Sequence, residues 1–328
     1  MAKIRKLGRI TQPLIVDDPY IITIHHVDDY PAGNDELGPV TQEGRGKDGE
    51  GVEMAPGRWH MYYGDKVPGF PVHPHRGFET VTIVRQGTVD HHDSGGNKGR
   101  YQAGDVQWMT AGSGMQHSEM FPLLDKEGPN TCELFQVWLN LPPEKKFVTP
   151  AYKMLWREDI PKIDRDGVKI DIVAGELEGL RAPAPAPNSW AADPENKVRI
   201  LVMALEKGAT FTLPAVNDTL FRGLYFYAGE EILLNDEKLG NRQYVFLDAE
   251  DEVKITNTGD SLAKIFVLEG EPIGAPVVAG GPYVMNTREE IYQAYADYQK
   301  TQFGGWPFDT VEPVMPGDVG RTSSGDIK

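Results

Sequence analysis

His73-Pro74-His75-Arg76-Gly77-Phe78-Glu79-Thr80-Val81-Thr82-Ile83-Val84 decides how this chain is read, with its counterpart Gly112-Ser113-Gly114-Met115-Gln116-His117-Ser118-Glu119-Met120 downstream. Residues 78 to 84 are β-branched and alternating, and the Gln86-Gly87 that follows is a hairpin signal. In an extended strand, side chains two residues apart share a face, so His73 projects with His75, and His117 with Glu119. Two such strands side by side present three imidazole nitrogens and one carboxylate. That donor set suits a divalent first-row metal, Fe, Mn, Ni, Cu or Zn, with coordination positions left open. A single His-x-His is weak ground, because histidines also pack in cores or sit on surfaces without a metal. The recurrence of a second alternating pair beyond glycine-punctuated turns makes a metal site the better reading.

Between the two pairs, Thr88 to Asp93 returns from the hairpin, Gly95-Gly96-Asn97-Lys98-Gly99 turns, and Tyr101 to Met109 leads to the second pair. This is the rhythm of an antiparallel meander. His91 and His92 lie on the returning strand, where one is either a pocket group behind the ligands or a surface residue. Upstream, residues 14 to 27 are rich in β-branched residues and read as one or two strands. Adjacent His25 and His26 point to opposite faces there, with packed or solvated roles as the default. Residues 31 to 58 are polar and glycine-rich, a long surface excursion that either covers the pocket or is a plain insertion.

Downstream, Glu133 to Leu141 closes a first domain and Pro142-Pro143 breaks it. Short strands then recur over Val168–Val173, Val198–Met203, Leu224–Tyr227, Glu231–Leu234, Gln243–Leu247, Glu252–Ile255 and Ala263–Leu268, the rhythm of a second barrel. Ala182 to Pro187 reads as a semi-rigid extended surface loop. All eight histidines lie at or before position 117, so this second barrel cannot repeat the metal site. Asn286-Thr287-Arg288-Glu289-Glu290 supplies a helix N-cap with an acidic residue at the third helical position. Ile291, Tyr292, Tyr295 and Tyr298 form an apolar stripe, and Gly304-Gly305 stops the helix, predicted over about 286 to 302. The stripe reads as packing, and the last ten residues read as mobile.

The composition agrees with an all-β chain: 328 residues with 36 Gly and 25 Pro fit two domains of short strands joined by turns. A net charge of −16 disfavours a phosphate backbone or an anionic membrane as partner, although an acidic surface also simply maintains solubility. The single cysteine, Cys132, rules out an intrachain disulfide and a thiolate cluster, and it reads as an inert core residue. No signal-length or membrane-length apolar run is present, so a soluble, cytoplasmic protein is expected.

Three motifs carry a resemblance: residues 73–81, the run Gly104-Asp105-Val106-Gln107-Trp108-Met109-Thr110-Ala111-Gly112 through Met120, and Gly281-Pro282-Tyr283-Val284-Met285-Asn286-Thr287 through Ile291. They resemble the signatures of the pirin family over roughly residues 10 to 305. The resemblance implies two tandem cupin barrels: 1–148 with the metal, 149–280 without it, then a C-terminal helix segment over 281–305 packing back on the barrels and a flexible tail over 306–328. It implies His73, His75, His117 and Glu119 as ligands of Fe(II), with Glu79 at the carboxylate position of the general cupin motif but not a ligand. The excursion at 31–58 and the tail after 305 exceed what the family leads one to expect.

By the same resemblance the activity is a quercetin 2,3-dioxygenase-like oxidoreductase, with a flavonol or other aromatic enol and O2 as substrates and Glu119 as catalytic base. The alternative is a non-enzymatic, iron-dependent redox sensor that binds a protein partner. A third reading is a zinc-dependent isomerase-like cupin. A monomer is expected.

Overall fold

The structure, a computed structural model, describes residues 3–46, 56–60 and 63–324. The strands in chain order are β1 (Ile4–Arg9), β2 (Tyr20–Tyr30), β3 (Gly69–His75), β4 (Phe78–Gln86), β5 (Thr88–Asp93), β6 (Lys98–Gln102), β7 (Val106–Thr110), β8 (Met115–Met120), β9 (Asn130–Asn140) and β10 (Ala151–Leu155). They continue with β11 (Lys162–Arg165), β12 (Val168–Ala174), β13 (Glu176–Leu177), β14 (Leu180–Arg181), β15 (Arg199–Leu205), β16 (Thr210–Leu213), β17 (Phe221–Ala228), β18 (Glu231–Leu234) and β19 (Glu237–Gly240). The last elements are β20 (Gln243–Leu247), β21 (Val253–Asn257), β22 (Ala263–Gly270), β23 (Val278–Gly280), β24 (Tyr283–Met285), helix α1 (Arg288–Thr301) and β25 (Thr322–Ser323).

Contacts divide the chain into a histidine-free unit, residues 1–22 and 158–274, and a histidine unit, residues 23–157 and 275–328. This division departs from a linear partition at 148 and 280. The first strand, β1, pairs with β20 and so joins the histidine-free unit. Strand β10 pairs with β7 and stays with the histidine unit, as do β23, β24, α1 and β25.

The histidine unit has two five-stranded sheets, ordered β10-β7-β4-β9-β2 and β25-β6-β5-β8-β3. Their inner faces meet: the Thr82 side chain of β4 and the Gln136 side chain of β9 both reach Glu119 of β8. Strand alternation puts Thr80 and Thr82 inward, and it puts Glu79 on the opposite face, buried between Trp108 and Thr110. An apolar cluster including Tyr30, Trp59, Val84, Leu134 and Met154 fills the rest of this interior. The excursion is packed rather than loose where it is described. Trp59 is buried, packs at a tilt against Tyr30 with ring centroids 5.5 Å apart, and donates to the Glu43 carbonyl at 3.0 Å. Its middle, residues 47–55, lies outside the described residues.

The C-terminal helix starts with a full capping box, the Glu290 amide donating to Thr287 and the Thr287 amide to Glu290. Its buried residues are Ile291 and Ala294, with Tyr298 half-buried, so the packed face differs from the expected stripe and Tyr292 is 70% exposed. Small Ala294 allows the close approach that a tyrosine at that place would block. Arg76 fastens the helix, donating to Asp297 at 2.7 Å with its guanidinium 4.4 Å from the Phe303 ring centroid.

The segment expected as a flexible tail is anchored instead. Buried Arg100 makes two bonds of 2.6 Å to Asp90 and donates to the carbonyls of Met315, Pro316 and Val319 at 2.8 Å each. The Met315 amide donates back to Asp90, and β25 pairs with β6. Residues 325–328, part of the expected tail, lie outside the described residues.

The histidine-free unit has a seven-stranded sheet, β1-β20-β17-β22-β15-β12-β11, and a four-stranded sheet, β16-β21-β18-β19. Its core is aliphatic and aromatic, with Ile170, Ile172, Leu201, Leu224, Phe226, Val245, Ile265 and Val267 buried together. No helix among the described residues is long and apolar enough to cross a membrane.

Candidate metal centre

Strands β3 and β8 run antiparallel with His73 opposite His117 and His75 opposite Met115, after a bulge between Phe70 and His73. Alternation then brings the three imidazoles onto one inward face. Two glycines make the flanking turns possible. Gly77 has φ +86, and a Cβ there would lie 2.1 Å from the Val284 carbonyl oxygen. Gly114 has φ +134, and a Cβ there would strike the Phe303 ring at 2.6 Å.

The ring centroids of His73 and His75 lie 4.8 Å apart, those of His73 and His117 4.4 Å, and those of His75 and His117 5.0 Å. Each ring offers a ligand nitrogen, and these all fall within 4.8 Å of one another. His73 Nδ1 lies 2.8 Å from the Pro71 carbonyl and His75 Nδ1 lies 3.2 Å from the Pro282 carbonyl. A carbonyl only accepts, so both Nδ1 atoms carry the proton and both Nε2 atoms keep a bare lone pair. His117 is fully buried with neither ring nitrogen hydrogen-bonded. Burial is the largest cause that lowers the pKa of all three, and neighbouring imidazoles lower His75 and His117 further. They are therefore neutral at pH 7, the form that binds a metal. An orphaned imidazole between two rings with aimed lone pairs fits a first-row divalent ion.

Of the four residues expected as ligands, the structure brings three together and holds the fourth beside them. The Glu119 carboxylate is outside the histidine group and accepts three bonds: from Thr82 at 2.7 Å and Tyr101 at 3.2 Å on Oε1, and from Gln136 at 2.6 Å on Oε2. Glu79 is on the far face of β4, away from the imidazoles.

The alternatives for the remaining histidines also resolve. His91 is opposite Glu119 in the β5–β8 register, 5.5 Å from the His117 ring, stacked on Tyr152 at 4.7 Å and 3.2 Å from Asp93. Asp93 is in turn held by Asn97 and Gly95. His92 faces the other way, against Phe308 at 5.0 Å. His25 stacks on Phe135 at 4.2 Å and meets Glu133, whereas His26 is buried edge-on to Phe70. Burial pushes the Cys132 thiol well up, in keeping with an inert core residue.

Sequence reasoning missed the inner face opposite the histidines. There Thr80 lies between Met109 and Trp138, and Thr82 between Gln107 and Gln136. Trp138 packs against His75 at 5.2 Å. Thr80 Oγ1, both amide atoms of Gln107, Trp138 Nε1 and His91 Nδ1 are buried without a hydrogen-bond partner. Polar residues at the inward parity of β4, β7 and β9 are the signal that would have found them.

The family profile "Pirin" matches residues 50–139, and "Pirin C-terminal cupin domain" matches residues 200–304. Pirin-1 of Arabidopsis thaliana is 40% identical over 240 residues, covering 72% of this chain and 78% of that protein. The chain belongs to the pirin family. Human pirin is 34% identical over 248 residues, 74% of this chain and 80% of its own length. In three dimensions this pirin is similar to a quercetin 2,3-dioxygenase from Acinetobacter baumannii, with TM-score 0.72 and 26% identity over 93% of this chain and 99% of that one. The fold is therefore a pair of tandem cupin barrels with one C-terminal helix, and the histidine group sits in the first.

Proposed function

We propose that this pirin is a metal-dependent dioxygenase that cleaves a flavonol such as quercetin. The observation that carries the reading is the group of three neutral, inward-facing imidazoles set against a row of unpartnered polar side chains, in a chain similar to a quercetin 2,3-dioxygenase. His73, His75 and His117 would hold the ion, with Fe(II) our first choice among Fe, Mn, Ni, Cu and Zn, and Glu119 as the fourth residue of the site. A bound divalent ion supplies Lewis acidity, lowers the pKa of a substrate hydroxyl and offers open positions for substrate and O2.

The protein's own residues do the rest. Glu119 accepts the substrate's hydroxyl proton on its carboxylate. Thr82, Tyr101 and Gln136 fix where that carboxylate starts. Trp138 and Gln107 orient the planar substrate by hydrogen bonds that the protein itself leaves unmade. The buried walls keep water from the reacting ring.

Iron-loaded protein with quercetin under oxygen is expected to bleach the flavonol and consume O2, and His117→Ala is expected to do neither. Absence of oxygen uptake with all five metals overturns the proposal.

A further inference from the structure

Strand β3, which carries His73 and His75, is the outermost strand of its sheet and pairs with β8 on one side. Its register breaks between Phe70 and His73, where Pro71 and Val72 stand opposite the single residue Ser118. A bulge of this kind leaves a residue outside the ladder, so the strand shifts there unless something else holds it. Pro71 matters to the metal centre because its carbonyl accepts a hydrogen bond from His73 Nδ1 at 2.8 Å, which leaves the bare lone pair on Nε2.

The C-terminal segment holds the bulge, and it begins just past residue 304, where the match to the family profile ends. The Val72 amide donates to the Val311 carbonyl at 2.7 Å. Val311 is anchored on both sides. The Glu312 carboxylate accepts from the Asp65 amide at 2.8 Å, and Phe308 packs edge-on to His92 of β5 with ring centroids 5.0 Å apart. The segment is also braced internally: Trp306 Nε1 donates to the Thr310 carbonyl at 2.8 Å, and the Glu312 amide to Thr310 Oγ1 at 3.3 Å. An edge strand can be covered anywhere along its length. Here the tail meets β3 at the bulge, next to the carbonyl that orients a ring of the metal centre.

We propose that residues 306–312 position His73. Val311 pins the bulge, the pinned bulge places the Pro71 carbonyl, and that carbonyl sets the tautomer and direction of the ring. Without the strap His73 exchanges between its two neutral tautomers, and only one of them has a bare Nε2. Orienting a ligand histidine in this way is worth about 10- to 100-fold in metal affinity. The proposal rests on the reading of His73, His75 and His117 as metal ligands, so it is tested with and without metal.

The test uses the full-length chain carrying Phe308→Ala and Glu312→Ala together, which frees the segment on both sides of Val311 and alters no histidine. In metal-free protein with isotope-labelled histidine, NMR should find His73 of the wild type in the Nδ1–H tautomer and His73 of the double variant in both, with His75 unchanged. Hydrogen exchange at the Val72 amide should quicken at least about tenfold, and calorimetric titration should find Ni(II) bound at least about tenfold more weakly. Val311→Ala keeps the carbonyl and should match the wild type throughout. Leu224→Ala, which loosens the other barrel, should match it in Ni(II) affinity. An unchanged His73 tautomer or Val72 exchange rate in the double variant overturns the proposal, as does an equal loss of Ni(II) affinity in Leu224→Ala or Val311→Ala. Tight wild-type binding left unaltered in the double variant overturns this proposal alone, whereas a wild type that takes up no Ni(II) overturns the metal reading and the proposal with it.

Discussion

Replacing His117 with leucine should stabilise the metal-free protein and abolish its response to metal. His117 is completely buried and both ring nitrogens lack a partner, whereas His73 and His75 each have a carbonyl. A buried unsatisfied polar group costs about 1–3 kcal/mol, and a substitution of similar volume costs less than about 1.5 kcal/mol in packing. The net gain for His117→Leu is then about 1 kcal/mol, or roughly 2–4 °C in melting midpoint for a unit of this size. In the wild type, a metal at a hundred times its dissociation constant adds about 2.7 kcal/mol, which the variant forgoes. Melting curves in EDTA and with added Fe(II), Mn(II) or Ni(II) should therefore cross: the variant above wild type without metal and below it with metal. A variant that melts several degrees lower without metal, and still gains on adding metal, refutes the reasoning, because His117 would then be an ordinary packed core residue.

Three further outcomes follow from other parts of the histidine unit. Gln136→Leu removes the 2.6 Å bond to Glu119, a loss of about 1.5–3 kcal/mol in positioning; turnover should fall by more than about tenfold while elemental analysis finds unchanged metal content. His26 is held at about 4 chiefly by burial, below the 6.5 of an unfolded histidine. Between pH 6.5 and 4 the unfolded chain takes up a proton that the fold refuses, so stability falls as pH drops, by up to about 3 kcal/mol from this residue. In urea titrations across that range His26→Phe should flatten the decline, and an unaltered slope would show that His26 is not its source. Deleting residues 315–328 strips Arg100 of three carbonyl acceptors and should lower stability by more than about 3 kcal/mol; a truncated chain that melts like the full one would deny the anchor any role.

Alternation along short strands made the centre legible. His73-x-His75 and the inward parity of His117 follow from a two-residue repeat, and the capping box at Thr287 and Glu290 is readable from spacing alone. Features set by partners distant in sequence were not legible. β1 looks like any short strand, and its union with β20 depends on which sheet edge is open, which no local pattern encodes. The segment after residue 305 looks loose because its proline, glycine and serine content is all that composition shows. What holds it are main-chain carbonyls, and these meet a buried Arg100 more than two hundred residues away. The clamp on Glu119 is assembled from three strands, so the motif His117-Ser118-Glu119 alone cannot tell a carboxylate set among the imidazoles from one held beside them.

The interiors of the two barrels differ in polarity. The inward parity of the first carries Thr80, Gln107, Trp138, His91 and His117 with polar atoms unbonded, each a cost to folding that packing alone would have eliminated. At the corresponding depth the second carries Ile170, Leu201, Leu224, Val245 and Ile265, which have no polar atoms to satisfy. An apolar replacement such as Gln107→Leu should therefore gain stability in the first barrel and lose substrate affinity. A truncation such as Leu224→Ala in the second should cost about 2–5 kcal/mol and leave metal affinity unaltered. Opposite signs from two interiors of one fold would be the mark of a barrel kept polar for its ligand, beside one kept apolar for its stability.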